Sequence, residues 1–171
     1  MSLAVPELVT DRLVLRGFAE RDLSWLAAIY GDPVTAEFLG GRQAPAEVWR
    51  RMASWIGHWT LRGFGPFAIE HRQSGEGIGF CALWSPPEFP EIEIGWGLLR
   101  RHHGQGFAAE AARRVRAEAR ARFGLGALVS YIKAANLPSR RLAERIGARA
   151  DGNHDFGDWQ AIVYRHPVAD D

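Results

Sequence analysis

One cysteine, Cys81, is all the chain has in 171 residues, so no internal disulfide can form. It lies in an apolar, strand-like run without a sequence-adjacent base, which reads as a buried structural thiol and not a nucleophile. No apolar run is long enough to span a bilayer, and no N-terminal basic-plus-apolar segment suggests export; residence in the cytoplasm and no membrane partner are the expectations. Charge of one sign is also lacking. A formal net charge of +1 gives no global field to draw the protein to nucleic acid, and no nucleic-acid partner is expected. The arginines of 113–122 read as the solvent face of a helix. His154, Asp155 and Asp158 are acidic and imidazole groups in a loop without ligand spacing, so no metal is expected. Internal repeats and low-complexity segments are absent, and the length suits a single domain over residues 1–171.

What is present is an alternation of strand and helix signals. Residues 12–18 read as a strand and 22–30 as a helix with Leu23, Leu26, Ala27 and Tyr30 on one face. Pro45 opens a second helix, in which Val48, Met52, Trp55, Ile56 and Trp59 recur at helical spacing. Strands over 67–71 and 78–84 flank the turn-rich Gln73-Ser74-Gly75-Glu76-Gly77. Glu91 to Leu99 reads as a strand that breaks at Gly95 and Gly97. From Gln105 to Phe123 the apolar positions Phe107, Ala111, Val115, Ala119 and Phe123 fall every fourth residue, the pattern of an amphipathic helix on a sheet. A strand over 127–132, a helix after Asn136 and two closing strands complete an α/β order with a mixed, mostly antiparallel sheet.

The densest chemical signal is Arg101-His102-His103-Gly104-Gln105-Gly106-Phe107-Ala108. Glycines at 104 and 106 let backbone N–H groups approach an anion, and the helix that follows aims its unpaired donors and positive dipole end at the same point. Arg101 and His103 are placed to reach phosphate, with His102 less favoured; a surface loop would hold such residues for solubility too. Downstream, Asn136-Leu137-Pro138-Ser139 is a good helix start, Asn136 being a capping residue and Pro138 tolerated in the first turn, and Gly147 is a stop.

This R-x-x-G-x-G stretch resembles the acetyl-CoA-binding signature of the GCN5-related N-acetyltransferase (GNAT) superfamily. Glu93-Ile94-Gly95-Trp96 resembles that family's splayed strand, and N-x-x-S-x-x-L-x-E-x-x-G at 136–147 its second cofactor motif. Thr10-Asp11-Arg12-Leu13-Val14-Leu15-Arg16 looks like the opening of the RimJ/RimL-like branch, with Asp11 where Glu is usual. The resemblance spans residues 10–147. It implies a GNAT-type sheet with helices on both faces, acetyl-CoA as cosubstrate, and direct transfer to an amine. Trp96, Gly97, Leu98, Arg101, His103, Gly104, Gln105, Gly106, Phe107, Ala108 and Asn136 would bind the cofactor. Glu93 aligns with the family's general base, with Glu91 as the alternative and a solvated carboxylate as the plain reading. The backbone N–H groups around Trp96 to Leu98 would hold the oxyanion. Ala143 stands where many members have a tyrosine acid, leaving Ser139 to protonate the thiolate or simply to support the helix start. Trp84 and Trp96 are the tryptophans placed near an acceptor pocket. The branch resemblance favours the α-amine of a protein or peptide N-terminus. A small-molecule amine (aminoglycoside, polyamine or amino acid) and a non-catalytic acyl-CoA sensor are the alternatives, in a monomer or homodimer.

Overall fold

A computed structural model of the protein describes residues 4–168. Its elements in sequence order are β1 (Leu8–Val9), β2 (Leu13–Arg16), α1 (Leu23–Gly31), α2 (Pro33–Ala36), α3 (Pro45–Arg62), β3 (Pro66–His71), β4 (Glu76–Trp84), β5 (Glu93–Leu98), α4 (Phe107–Phe123), β6 (Val129–Ile132), α5 (Leu137–Arg145), β7 (Arg149–Asp155) and β8 (Gln160–Arg165). They form one eight-stranded sheet in the order β1-β2-β3-β4-β5-β6-β8-β7. All neighbours run antiparallel except β5 and β6, which are parallel. None of the described helices is long and apolar enough to cross a membrane.

Period-2 alternation in β4 sends Cys81 and Leu83 to one face and Phe80 and Ala82 to the other. A bulge opposite Ile69 and Glu70 then turns Ile78 to the Cys81 side. On that side α4 lays Phe107, Ala111, Val115 and Ala119 against Leu13, Leu15, Phe67 and Ile69. The opposite face is covered by α1 and α3 through Leu26, Ile29, Tyr30, Val48, Met52 and Trp55.

Two packing expectations are corrected. Ile56 is 45% exposed, because the buried stripe of α3 runs Val48, Met52, Trp55, Trp59 and Ile56 sits about 100° beyond Trp55. Arg116 is buried, donating from a guanidinium nitrogen to the Ile146 carbonyl at 2.7 Å, so the arginines of α4 do not all face solvent.

One buried ion cluster ties the start of the protein to the sheet. Arg16 holds Asp22 with two bonds of 2.8 and 2.9 Å and Glu70 with a third of 2.9 Å. Asp22 also accepts from the Ala19 N–H and the Trp25 indole. Although burial opposes it, this set of donors, Arg16 foremost, holds the Asp22 carboxyl below its ordinary value.

Candidate active site

Gly104 and Gly106 adopt the left-handed backbone, with φ of +72° and +82°, and Gly106 caps α4. No described backbone or side-chain acceptor takes the N–H groups from Gly104 to Ala109, which leaves a nest of donors at the positive end of a 17-residue helix. The N-terminal segment clamps this loop from outside. Thr10 Oγ1 donates to Glu110 at 2.6 Å, and the Arg12 N–H and Nε donate to the same carboxylate at 3.0 and 2.7 Å. Arg12 also donates to the Gln105 carbonyl at 3.0 Å and lies over the Phe107 ring, 4.4 Å from its centroid. The Thr10-Asp11-Arg12 opening is therefore the outer brace of the anion cradle.

The splay expected after Glu93 is present. β5 and β6 pair at the single register position Glu93↔Val129 and then part. Even-numbered residues of β5 turn their backbone toward β6. The Ile92 carbonyl accepts from the Val129 N–H at 3.1 Å, that of Ile94 from the Ser130 hydroxyl at 2.5 Å, and that of Leu98 from His103 Nε2–H at 2.9 Å. Odd residues face β4, where the Leu99 N–H just past the strand donates to Ile78. By the same alternation the Trp96 and Leu98 N–H groups open onto the gap with no strand partner. Gly97 is needed at its position, since a Cβ there would lie 2.5 Å from the Phe80 ring.

Two cavities meet at this gap. The first, about 400 Å³, runs from the cradle along Trp96–Leu98 to the start of α5, past His103, Gly104, Gly106, Phe107, Ala108, Asn136 and Ser139. The second, about 460 Å³, is walled by Tyr30, Trp55, Phe80, Trp84, Phe89, Tyr131 and Trp159 and contains Glu93. Phe38, Leu39, Trp96, Asn136 and Ser139 line both, which marks the point where contents of one can touch contents of the other.

Asn136 caps α5, its Oδ1 accepting from the Ser139 N–H at 3.3 Å. That cap leaves the Ser139 hydroxyl out of the helix start; its oxygen instead accepts from the Trp96 indole N–H at 3.3 Å and so keeps its own proton to donate. Glu93 is half-buried at the root of the splay. Burial pushes its carboxyl up to about 7, against a bond from the Tyr131 backbone that pulls the other way. Trp84 stacks on His58, 4.7 Å between rings. His58 donates from Nδ1 to the Phe64 carbonyl and accepts at Nε2 from the Ser85 N–H, so it is a satisfied neutral histidine. Cys81 is fully buried, and burial raises its thiol pKa, as fits a structural role.

Three candidates stand apart from the cavities. Arg101 is exposed and pairs with Glu76, Gln105 turns its amide back to the Arg101 carbonyl, and Glu91 is held by Arg165 at 2.7 and 3.1 Å. Glu91 thus has a dedicated cationic partner, and Glu93 has none among the described residues. Arg141 and Arg145, not among the residues expected from the sequence, also line the cofactor cavity with Pro138 and Leu142. A spacing of four residues on α5 puts the two arginines on one face, which is the signal the sequence offers. Val34, Thr35 and Phe38 from the α1–α3 connection were also missed, having no motif to mark them.

Among known families, residues 12–149 match the acetyltransferase (GNAT) domain. The chain belongs to the GNAT family. As a GNAT acetyltransferase it uses acetyl-CoA as acetyl donor, and its donor nest, splayed strand and α5 face fit that molecule's pyrophosphate and pantetheine. Among solved structures, an acetyltransferase from Agrobacterium tumefaciens str. C58 is 34% identical, with a TM-score of 0.88 and an alignment covering 95% of this protein and 95% of that one. YkkB of Bacillus subtilis (strain 168) is 31% identical over 153 residues, 84% of this protein and 86% of that one. RimL, a ribosomal L7/L12 alpha-N-protein acetyltransferase solved with coenzyme A, shares the fold at a TM-score of 0.79 over 97% of this protein and 100% of its own length, with 16% identity. No group of three His, Cys, Asp or Glu among the described residues is arranged to hold a metal ion.

Proposed function

We propose that this GNAT enzyme acetylates an α-amine, that of a protein or peptide N-terminus, by direct transfer in a ternary complex. The observation that carries the choice is the Glu93 carboxyl, which lines the second cavity and which burial raises to about 7. Taking a proton from an α-ammonium of pKa about 8 then runs uphill by only about 1.4 kcal/mol, whereas a lysine-like ammonium near 10.4 would cost about 4.6 kcal/mol. A base tuned near 7 suits the first acceptor far better. The Thr10–Arg16 opening supports placing the protein in the RimJ/RimL-like branch, whose member RimL carries an α-N-protein activity in its name; that likeness by itself is one of fold.

In this reading acetyl-CoA lies with its pyrophosphate on the N–H groups of 104–108 and its thioester at Trp96 and Ser139. Glu93 accepts the ammonium proton, and the freed nitrogen attacks the thioester carbon. The Trp96 and Leu98 N–H groups hold the resulting oxyanion in the gap where they lack strand partners. The C–S bond then breaks; the thiolate takes a proton from the Ser139 hydroxyl or from water, and the second proton leaving the acylated nitrogen restores that donor. With a leaving thiol of pKa about 8.5, Ala143 in place of a tyrosine acid does not block the step.

The test is a peptide that bears both a free N-terminus and a lysine side chain, incubated with acetyl-CoA and mapped by fragmentation mass spectrometry. Acetyl on the α-nitrogen supports the proposal; acetyl on the lysine Nζ alone refutes it.

A further inference from the structure

The acceptor cavity contains two cations that nothing in the reaction above uses. Arg51 reaches it from α3 and Lys133, the only lysine in the sequence, from the end of β6. Both are half-buried. Several other arginines of the protein have carboxylates: Arg12 has Glu110, Arg16 has Asp22 and Glu70, and Arg165 has Glu91 and Asp151. Arg51 has none within ion-pair distance among the described residues. Its Nε donates to the neutral Gln43 amide at 3.2 Å, and its guanidinium lies 4.9 Å over the Tyr30 ring. Lys133 likewise has only an aromatic neighbour, its Nζ standing 5.8 Å from the Trp159 ring centre. Among the described residues Asp158, which is exposed, is the one acid besides Glu93 on the cavity wall, and it pairs with neither cation. Nor do the cations serve Glu93, whose titration is governed by burial and one backbone bond.

Two cations partly removed from water carry a desolvation cost that the aromatic faces offset only in part, and an anion joining them would offset the rest with charge-assisted bonds. We infer that the acceptor carries a carboxylate in addition to its amine, and that Arg51 and Lys133 select for it while the aromatic wall takes the apolar part between. This rests on the α-amine reading. For a peptide, the carboxylate belongs to an acidic residue just behind the N-terminal one. In a very short peptide the terminal α-carboxylate offers the same chemistry.

The experiment compares kcat/KM for three acceptors: a C-terminally amidated tetrapeptide with Glu at its second position, the same amide with Gln there, and a neutral dipeptide with a free C-terminus. A preference of about tenfold or more for the Glu peptide over the Gln peptide is expected, shrinking as salt is raised. Arg51→Gln and Lys133→Gln should each lower that ratio, and Lys133→Glu should shift preference toward a peptide with lysine at the second position. A preferred dipeptide without a Glu-over-Gln effect would assign the same cations to a terminal α-carboxylate. Equal use of all three acceptors overturns the inference and leaves the α-amine reading standing. An unchanged preference in both Gln variants overturns the assignment to these residues. If no peptide is acetylated while acetyl-CoA still binds, the α-amine reading falls and takes this inference with it.

Discussion

Replacing Glu93 with Gln keeps the shape of the side chain and removes its charge. With its carboxyl at about 7, Glu93 is about 9% ionised at pH 6, half ionised at pH 7 and about 90% ionised at pH 8. At saturating acetyl-CoA and peptide, kcat should therefore climb about tenfold from pH 6 to pH 8, along a limb of unit slope that bends near 7. Its sign follows from the base being active when deprotonated: acid removes activity. An ordinary carboxylate, by contrast, would bend the curve at about 4.3 and leave kcat flat over this range. In Glu93→Gln the bend near 7 should vanish, leaving only the amine's own titration near 8, and kcat should fall by about 10²-fold or more. Thiol release followed continuously reports both effects. A wild-type break in the ordinary carboxylate range, or a variant that keeps both the bend and the rate, would refute the role.

Ser139→Ala removes a hydroxyl that holds no helix bond, so kcat should drop by a modest factor, about three to tenfold, with KM for acetyl-CoA little changed; loss of helix stability instead would return Ser139 to a structural role. Arg12→Ala unlatches the cradle from Glu110 and Gln105, and calorimetry should show acetyl-CoA binding weakened by about tenfold while the peptide KM moves less. His166 is buried and neutral, its Nε2–H bonded to the Ser130 hydroxyl, and burial lowers its pKa to about 4 from an ordinary 6.5. Between those values the unfolded state binds the proton and the native one does not, so denaturant midpoints should report a loss of about 2–3 kcal/mol from pH 7 to pH 4.5 that is absent in His166→Gln.

The site was legible where chemistry forces a residue type. Left-handed backbone at 104 and 106 demands glycine and a cap at 136 demands a side-chain oxygen, so the turn and the helix start could be read in advance, whereas Glu93 was marked by its alignment with the family's strand. α4 was equally plain, because a four-residue apolar repeat sustained over 17 residues fits one helix face and is too long for an ordinary strand. Hidden features lacked such constraints. β7 is expected from the sequence as the first of two closing strands, over 148–152, but it runs Arg149–Asp155; six of its seven residues are exposed on the sheet edge, so no apolar alternation marks its far end. β1 and α2 are too short for any period to show. Arg101 is ambiguous for a different reason: a basic residue before a glycine loop suits phosphate and a neighbouring carboxylate alike, and its pairing with Glu76 on the β3–β4 hairpin is distant in sequence. Tyr30, Arg51 and Trp159 come from three separate elements, and only the tertiary fold gathers them around one cavity.

The central claim is that the Gly104–Ala108 turn holds the donor while Glu93 serves the acceptor, and calorimetric titration with acetyl-CoA separates the two halves. Gly104→Glu puts a side chain on a left-handed backbone and a negative charge where the pyrophosphate should lie. Micromolar binding in the wild type and in Glu93→Gln, with binding lost in Gly104→Glu, is the predicted result. Undiminished binding in Gly104→Glu would contradict it.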